Sequence, residues 1–175
     1  MINRMCPSIY LLSFVLTLLC GCKKDSPTAS ESILPSPIYF NSFESSADTV
    51  GWQGYGMHTL YADAPAEGGK QSFYVSGGCI APHAWTEFLN NSSSGNVYIY
   101  CWGKRLIGGG SVTLRLKNDY SKSIGIFISD SVWTSYKSND SLFCALGDTL
   151  CLELISGGLV QGSMLVDLIT AKQIK

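Results

Sequence analysis

Ser111–Ser129 reads SVTLRLKNDYSKSIGIFIS, and this stretch decides the fold class. Val112, Leu114 and Leu116 alternate with Ser111, Thr113, Arg115 and Lys117, and Ile124, Ile126 and Ile128 alternate with residues of other kinds. A period of two puts every second side chain on one face, the pattern of a strand with one buried side. Outward from it, NVYIYCW (Asn96–Trp102) and DTLCLELIS (Asp148–Ser156) are rich in β-branched and aromatic residues and are bounded by Gly, Ser, Asn or Asp. Strands are expected at Tyr39–Phe43, Phe73–Ser76, Val97–Trp102, Val112–Lys117, Ile124–Ser129, Ser141–Ala145, Thr149–Ile155 and Met164–Thr170. Past the N-terminal region no long window carries a capped helical stripe. Short strands at this spacing imply an all-β sandwich or barrel, with antiparallel sheets packed face to face. Gly108–Gly110 lies between two of these strands and reads as a flexible hairpin loop.

The chain has 175 residues, 46% hydrophobic and 14% charged, with 12 basic and 13 acidic side chains and a net charge of -1. Of these charges residues 1–21 hold only Arg4. Near neutrality, with no basic run beyond Lys104-Arg105, excludes nucleic acid as the expected partner. Neutral polymers such as sugars stay open.

The N-terminal stretch FVLTLLCGCKKDSPTASES (Phe14–Ser32) has a different character. Arg4 precedes an apolar run from Ile9 to Leu19, too short for the roughly 20 residues a membrane-spanning helix needs, so residues 1–21 read as an export signal. Leu19-Cys20-Gly21-Cys22 resembles the lipobox of bacterial lipoproteins, with an apolar residue three before the cysteine and a small one just before it. That resemblance makes Cys22 the first mature residue and the lipid-modified (palmitate-bearing) one, and Cys20 leaves with the signal. Acyl chains then hold the protein to a membrane without a span. Residues 22–37 are dense in Ser, Pro and charge and read as a disordered tether, and residues 38–175 form the domain. The CKKD following the lipobox is similar to that of Bacteroidota lipoproteins, which implies the cell envelope, at the outer membrane and its surface.

YFNSFESSADTVGW (Tyr39–Trp52), DSVWTSYKSND (Asp130–Asp140), DTLCLELISGG and GSMLVDLITAK (Gly162–Lys172) follow one another in the order seen in galactose-binding-like jelly rolls, the fold of many carbohydrate-binding modules. The resemblance implies a jelly-roll-like antiparallel β-sandwich whose last strand pairs beside the first. In that family a glutamate after the first strand and an aspartate in the last often share a structural calcium ion. The matching residues are Glu44 and Asp167, although Leu168 stands where the family commonly has a second acid. The competing reading is that the two carboxylates hydrogen-bond loop backbone.

Exposed aromatic rings can stack on the apolar face of a pyranose, but most large aromatics fill cores. Trp52, Trp102 and Trp133 lie in or beside apolar strands and are expected to be mostly buried. GWQGYGMH (Gly51–His58) and APHAWTEF (Ala81–Phe88) read as loops, which makes Tyr55, His58, His83 and Trp85 the candidate ligand-binding residues. No nucleophile elbow, zinc motif or phosphate loop is present, so the chain does not read as an enzyme and requires no cofactor.

Beyond Cys22 lie Cys79, Cys101, Cys144 and Cys151, an even number in an exported chain, which reads first as disulfides. Cys144 and Cys151 flank ALGD and suit a bridge across a hairpin, leaving Cys79 with Cys101. The alternative is four small buried hydrophobes. The sequence thus predicts a lipid-anchored lipoprotein with a non-catalytic domain for carbohydrate or another extracellular polymer. A structural or adhesion subunit meeting another envelope protein is the second reading.

Overall fold

The computed structural model describes residues 36–79, 81–157 and 161–174. Signal, lipobox, Cys22 and most of the tether lie outside the described residues. The strands are β1 (Tyr39–Asn41), β2 (Met57–Tyr61), β3 (Ser72–Gly77), β4 (Ala84–Leu89), β5 (Gly95–Ile107), β6 (Gly110–Leu116), β7 (Asp119–Ile128), β8 (Thr134–Lys137), β9 (Leu142–Cys144), β10 (Thr149–Ser156) and β11 (Gly162–Gln173), with a short 3-10 helix at Ser46–Thr49. They form two antiparallel sheets. Sheet A runs β2-β3-β11-β5-β8, with β1 paired to β11 and β9 to β5, and sheet B runs β4-β10-β6-β7. The expected sandwich is therefore present, and the last strand pairs with the first through Phe40 opposite Thr170. Among the described residues no helix is long and apolar enough to cross a membrane.

The period of two does what it should. Val112 and Leu114 of β6, Ile124, Ile126 and Ile128 of β7, and Leu150, Leu152 and Leu154 of β10 point inward against Val97, Ile99 and Cys101 of β5. At one end Phe43 stacks on Phe73 with centroids 4.6 Å apart, and Trp52 tilts against both. Phe73 is wholly buried, and its truncation to Ala would cost about 3–5 kcal/mol through lost transfer energy and the cavity left behind. Trp52 is buried as expected, whereas Trp102 and Trp133 are only half buried: Trp102 lies on the outer side of sheet A opposite Ser135, and Trp133 precedes β8 and donates through Nε1 to Asp63 Oδ1.

Three strands escaped the pattern: β2, β4 and β8. APHAWTEF is not a loop, since Ala84–Phe88 lies within β4, paired along β10 from Trp85 opposite Glu153 to Phe88 opposite Leu150. Gly108–Gly110 makes a turn but no hairpin, because β5 is in sheet A and β6 in sheet B. Gly108 and Gly109 take φ of 69° and 74°, and the chain crosses between the layers there. Gly110 must lack a side chain, as a Cβ would lie 2.4 Å from Met164 Sδ.

The disulfide expectation fails on topology. Cys144 is on β9, in sheet A, and Cys151 on β10, in sheet B, so the turn between them changes layer and does not set the two side chains opposite one another. Cys101, Cys144 and Cys151 are unbridged thiols, all buried, which also removes the Cys79–Cys101 pairing. Burial pushes Cys101 up to about 12, so it stays a protonated, small hydrophobe.

Candidate functional site

On the outer face of sheet B a groove of about 410 Å³ runs across the strands. Its floor follows from the register. Trp85 of β4 lies opposite Glu153 of β10, and Glu87 opposite Cys151, which in turn faces Arg115 of β6. These positions alternate with the buried Ala84, Thr86, Leu152, Leu154 and Leu114, so the same pleat that builds the core aims this set outward.

Tyr55 forms one wall, its ring 5.2 Å from that of Trp85 and 70% exposed. Backbone bonds from Gln53 N to Trp85 O (2.8 Å) and from Trp85 N to Gln53 O (2.7 Å) pin the Tyr55 loop to β4. Gly54 and Gly56 let the loop press against it, since a Cβ at Gly54 would lie 1.9 Å from His83 O. Tyr120 forms the opposite wall, with the Arg115 guanidinium 4.0 Å over its ring.

Arg115 is fully engaged. Nε donates to Glu153 Oε1 at 2.9 Å, Nη2 pairs with the same oxygen at 2.7 Å, and Nη1 donates to the carbonyls of Leu116 and Lys117. Glu87 is paired with Lys117 at 2.6 Å. The groove thus offers two aromatic walls and a floor of two carboxylates, each neutralised by a cation. Such a surface suits an uncharged polyol, with rings for apolar faces and fixed polar groups for hydroxyls. Cys151 adds no nucleophile, as burial raises its thiol to about 11.

Of the residues named from sequence, Tyr55 and Trp85 meet in this groove. His83 and His58 do not. His83 is 1% exposed: the Ser156 amide donates to Nδ1 at 2.8 Å, which leaves Nε2 to donate to Gly78 O at 3.0 Å. It is a structural clamp between β4 and β10. His58 is on β2 of sheet A, edge-on to Phe73 and bonded through Nδ1 to Gly56 O. Glu87, Arg115, Tyr120 and Glu153 were missed, because only cross-strand register brings them together.

Glu44 and Asp167 are also brought into one place, at the Gly68–Gly69 turn. A Cβ on Gly69 would lie 2.6 Å from the Glu44 carboxylate, and one on Gly68 would lie 2.0 Å from Asp167 Oδ2. Glu44 accepts from the amides of Lys70 and Gln71. Asp167 lies at a β-bulge where the register with β5 shifts and Leu168 takes φ of 48°. Its Oδ1 accepts from the Leu168 amide at 2.7 Å, and its buried Oδ2 has no hydrogen-bond partner among the described residues. Burial, reinforced by the Glu44 charge and opposed by the Leu168 amide, pushes its carboxyl up to about 7. An orphaned, buried carboxylate oxygen beside a second acid fits a hard cation. No group of three or more His, Cys, Asp or Glu is gathered there among the described residues, so further ligands would be carbonyls and water.

No family profile matches the chain, and no curated protein sequence does. Solved structures do. The CBM22-1 xylan-binding domain of Paenibacillus barcinonensis Xyn10C superposes with a TM-score of 0.58 at 18% identity, covering 81% of this chain and 97% of that one. The two chains share the β-sandwich fold. The C-terminal family 22 module of Clostridium thermocellum Xyn10B gives 0.57 at 11% identity over 79% and 95% of the two chains. A module from Cellvibrio mixtus lichenase 5A, solved with cellotriose, gives 0.51 at 19% identity over 80% and 100%. At these identities the likeness concerns the sandwich alone.

Proposed function

We propose that this chain is a lipid-anchored envelope protein whose sandwich binds a neutral polysaccharide, without catalysis, in the groove walled by Tyr55, Trp85 and Tyr120. The observation that carries the reading is the Tyr55–Trp85 pair standing over the charge-compensated Arg115–Glu153 floor. Two similar folds support it, one described as a xylan-binding domain and one solved with cellotriose. Both groove carboxylates are paired with a cation, Glu153 with Arg115 and Glu87 with Lys117, so the groove presents a charge-compensated floor. Affinity electrophoresis against xylans and β-glucans tests the reading. Retardation by at least one polymer, lost in Trp85→Ala, is the expected result, and equal mobility in every gel rules the groove out.

Calcium belongs to the same proposal. Glu44 and Asp167 would hold the ion at the junction of β1, β11 and the loop following β2, where it would neutralise two acids and brace the bulge. A rise in melting temperature on adding calcium, reversed by chelator and absent in Asp167→Asn, tests it. The anchor rests on the sequence around Cys22, and mass spectrometry of the mature N-terminal peptide tests that separately.

A further inference from the structure

The outer face of sheet A, on the far side of the sandwich from the groove, carries a second aromatic surface of different charge. β5 sets Tyr98, Tyr100 and Trp102 in a row, because Val97, Ile99 and Cys101 turn inward. Cross-strand register adds Phe40 beside Thr170, Thr170 beside Tyr100, and Tyr100 beside Lys137, while Lys172 lies opposite Tyr98 and Phe143 opposite Asn96. Phe40 is 56% exposed and Phe143 61%.

Charge separates this face from the groove. On sheet B the acids are matched: Glu153 with Arg115, Glu87 with Lys117, Asp119 with Lys122. On sheet A the strand positions of the outer face contain a single acid, the buried Asp167, against Lys104, Lys137 and Lys172. Lys104 is held by Asp63, but Lys137 and Lys172 have no ion pair among the described residues. Lys137 is held over the rings of Tyr98 and Tyr100, at 4.7 and 5.5 Å. Two unmatched ammonium groups set among tyrosine and phenylalanine rings fit one environment well, the headgroup layer of a bilayer, where amphipathic rings and snorkelling lysines sit together.

The chain's course adds a second argument. The tether enters the domain at β1, and β1 contributes Phe40 to this same face. From Cys22 to the first described residue, Ser36, the chain is short enough to hold the domain within about 50 Å of its anchor. Confinement on that scale gives an effective concentration in the millimolar range, so a weak surface attraction suffices for docking.

We propose that the outer face of sheet A rests on an anionic bilayer, with Lys137 and Lys172 at the lipid phosphates and Phe40, Phe143 and Tyr98 in the headgroup layer. The proposal builds on the lipid anchor and goes beyond it, since an anchor alone leaves the domain free to tumble. Docked this way, the domain turns the Tyr55–Trp85 groove away from the membrane, toward extracellular polymer.

The test is amine acetylation footprinting of the full acylated protein, in phosphatidylglycerol–phosphatidylcholine vesicles and in a neutral polyoxyethylene detergent. Lys137 and Lys172 should react about fivefold more slowly on the vesicles, while Lys117 and Lys122 on sheet B keep their rates. The protection should weaken with salt and disappear in pure phosphatidylcholine. In Lys137→Glu/Lys172→Glu, amides around Phe40 should lose their vesicle-dependent hydrogen-exchange protection, with groove binding intact. Equal lysine rates in vesicles and detergent, or protection of Lys117 and Lys122 instead, would overturn the docking. So would protection by soluble polygalacturonate where the vesicles give none. The acyl mass on the Cys22 peptide is read from the same sample, so a failed anchor and a failed docking are distinct results.

Discussion

Arg115 holds Glu153 through two nitrogens on a single carboxylate oxygen, at 2.9 and 2.7 Å, while its guanidinium plane lies 4.0 Å over Tyr120. The pair is shielded on the floor of the groove, and each partner needs the other. Arg115→Ala leaves Glu153 with an unmatched charge and should cost about 2 kcal/mol in urea unfolding. Arg115→Lys should restore only part of this, because an ammonium cannot reproduce the fork.

Trp85 and Tyr55 should behave as binding residues and not as core. Trp85→Ala is expected to weaken polysaccharide binding about tenfold or more by titration calorimetry, and Tyr55→Ala somewhat less, with melting temperatures little changed. A Trp85→Ala variant that unfolds easily yet binds normally would reverse the assignment.

His83 should show the opposite profile. Its loss strands the buried Ser156 amide, so His83→Ala should destabilise by about 2–3 kcal/mol and leave affinity intact. Gly77→Ala should do similar damage, since its Cβ would lie 2.1 Å from the His83 ring. Chemical denaturation of both variants alongside binding checks this.

Asp167 gives a pH dependence of calculable sign. In calcium-free protein the folded state keeps this proton up to about pH 7, whereas an unfolded aspartate releases it near pH 4. Between these values the folded state binds more protons, so stability should fall as pH rises, by at most about 4 kcal/mol. Asp167→Asn should flatten the slope in denaturation curves collected across that range. In the proposed calcium-bound state the ionised carboxylate would be held by the ion, which should offset the loss at neutral pH.

The thiols provide a fifth check. In native protein Cys101, Cys144 and Cys151 should resist iodoacetamide, and in denaturant all three should react without prior reduction.

Strands were legible where one face is buried and the other wet, as in β6 and β7, because alternation then survives in the sequence. β4 was hidden by Pro82, His83 and Trp85, which read as loop chemistry. Its partner β10 supplies the pairing that makes it a strand. Tyr55 and Trp85 could be named because bulky rings among glycines and a proline are conspicuous. His58 and His83 shared that signal and proved otherwise, since whether a ring faces solvent depends on the layer packed against it. Arg115 and Glu153 are 38 positions apart and gave no local sign of meeting.

By itself the sequence determined the class of the fold and its two-layer logic, because these follow from periodicity and composition, while the opposition of first and last strands was implied only by the resemblance to galactose-binding-like jelly rolls. Tertiary structure alone decided that Cys144 and Cys151 part into different sheets, that His83 is a clamp, and that the charges pair on one face and stand open on the other. Each of these depends on register between strands distant in the chain, and a shift of one residue would send every side chain to the opposite face.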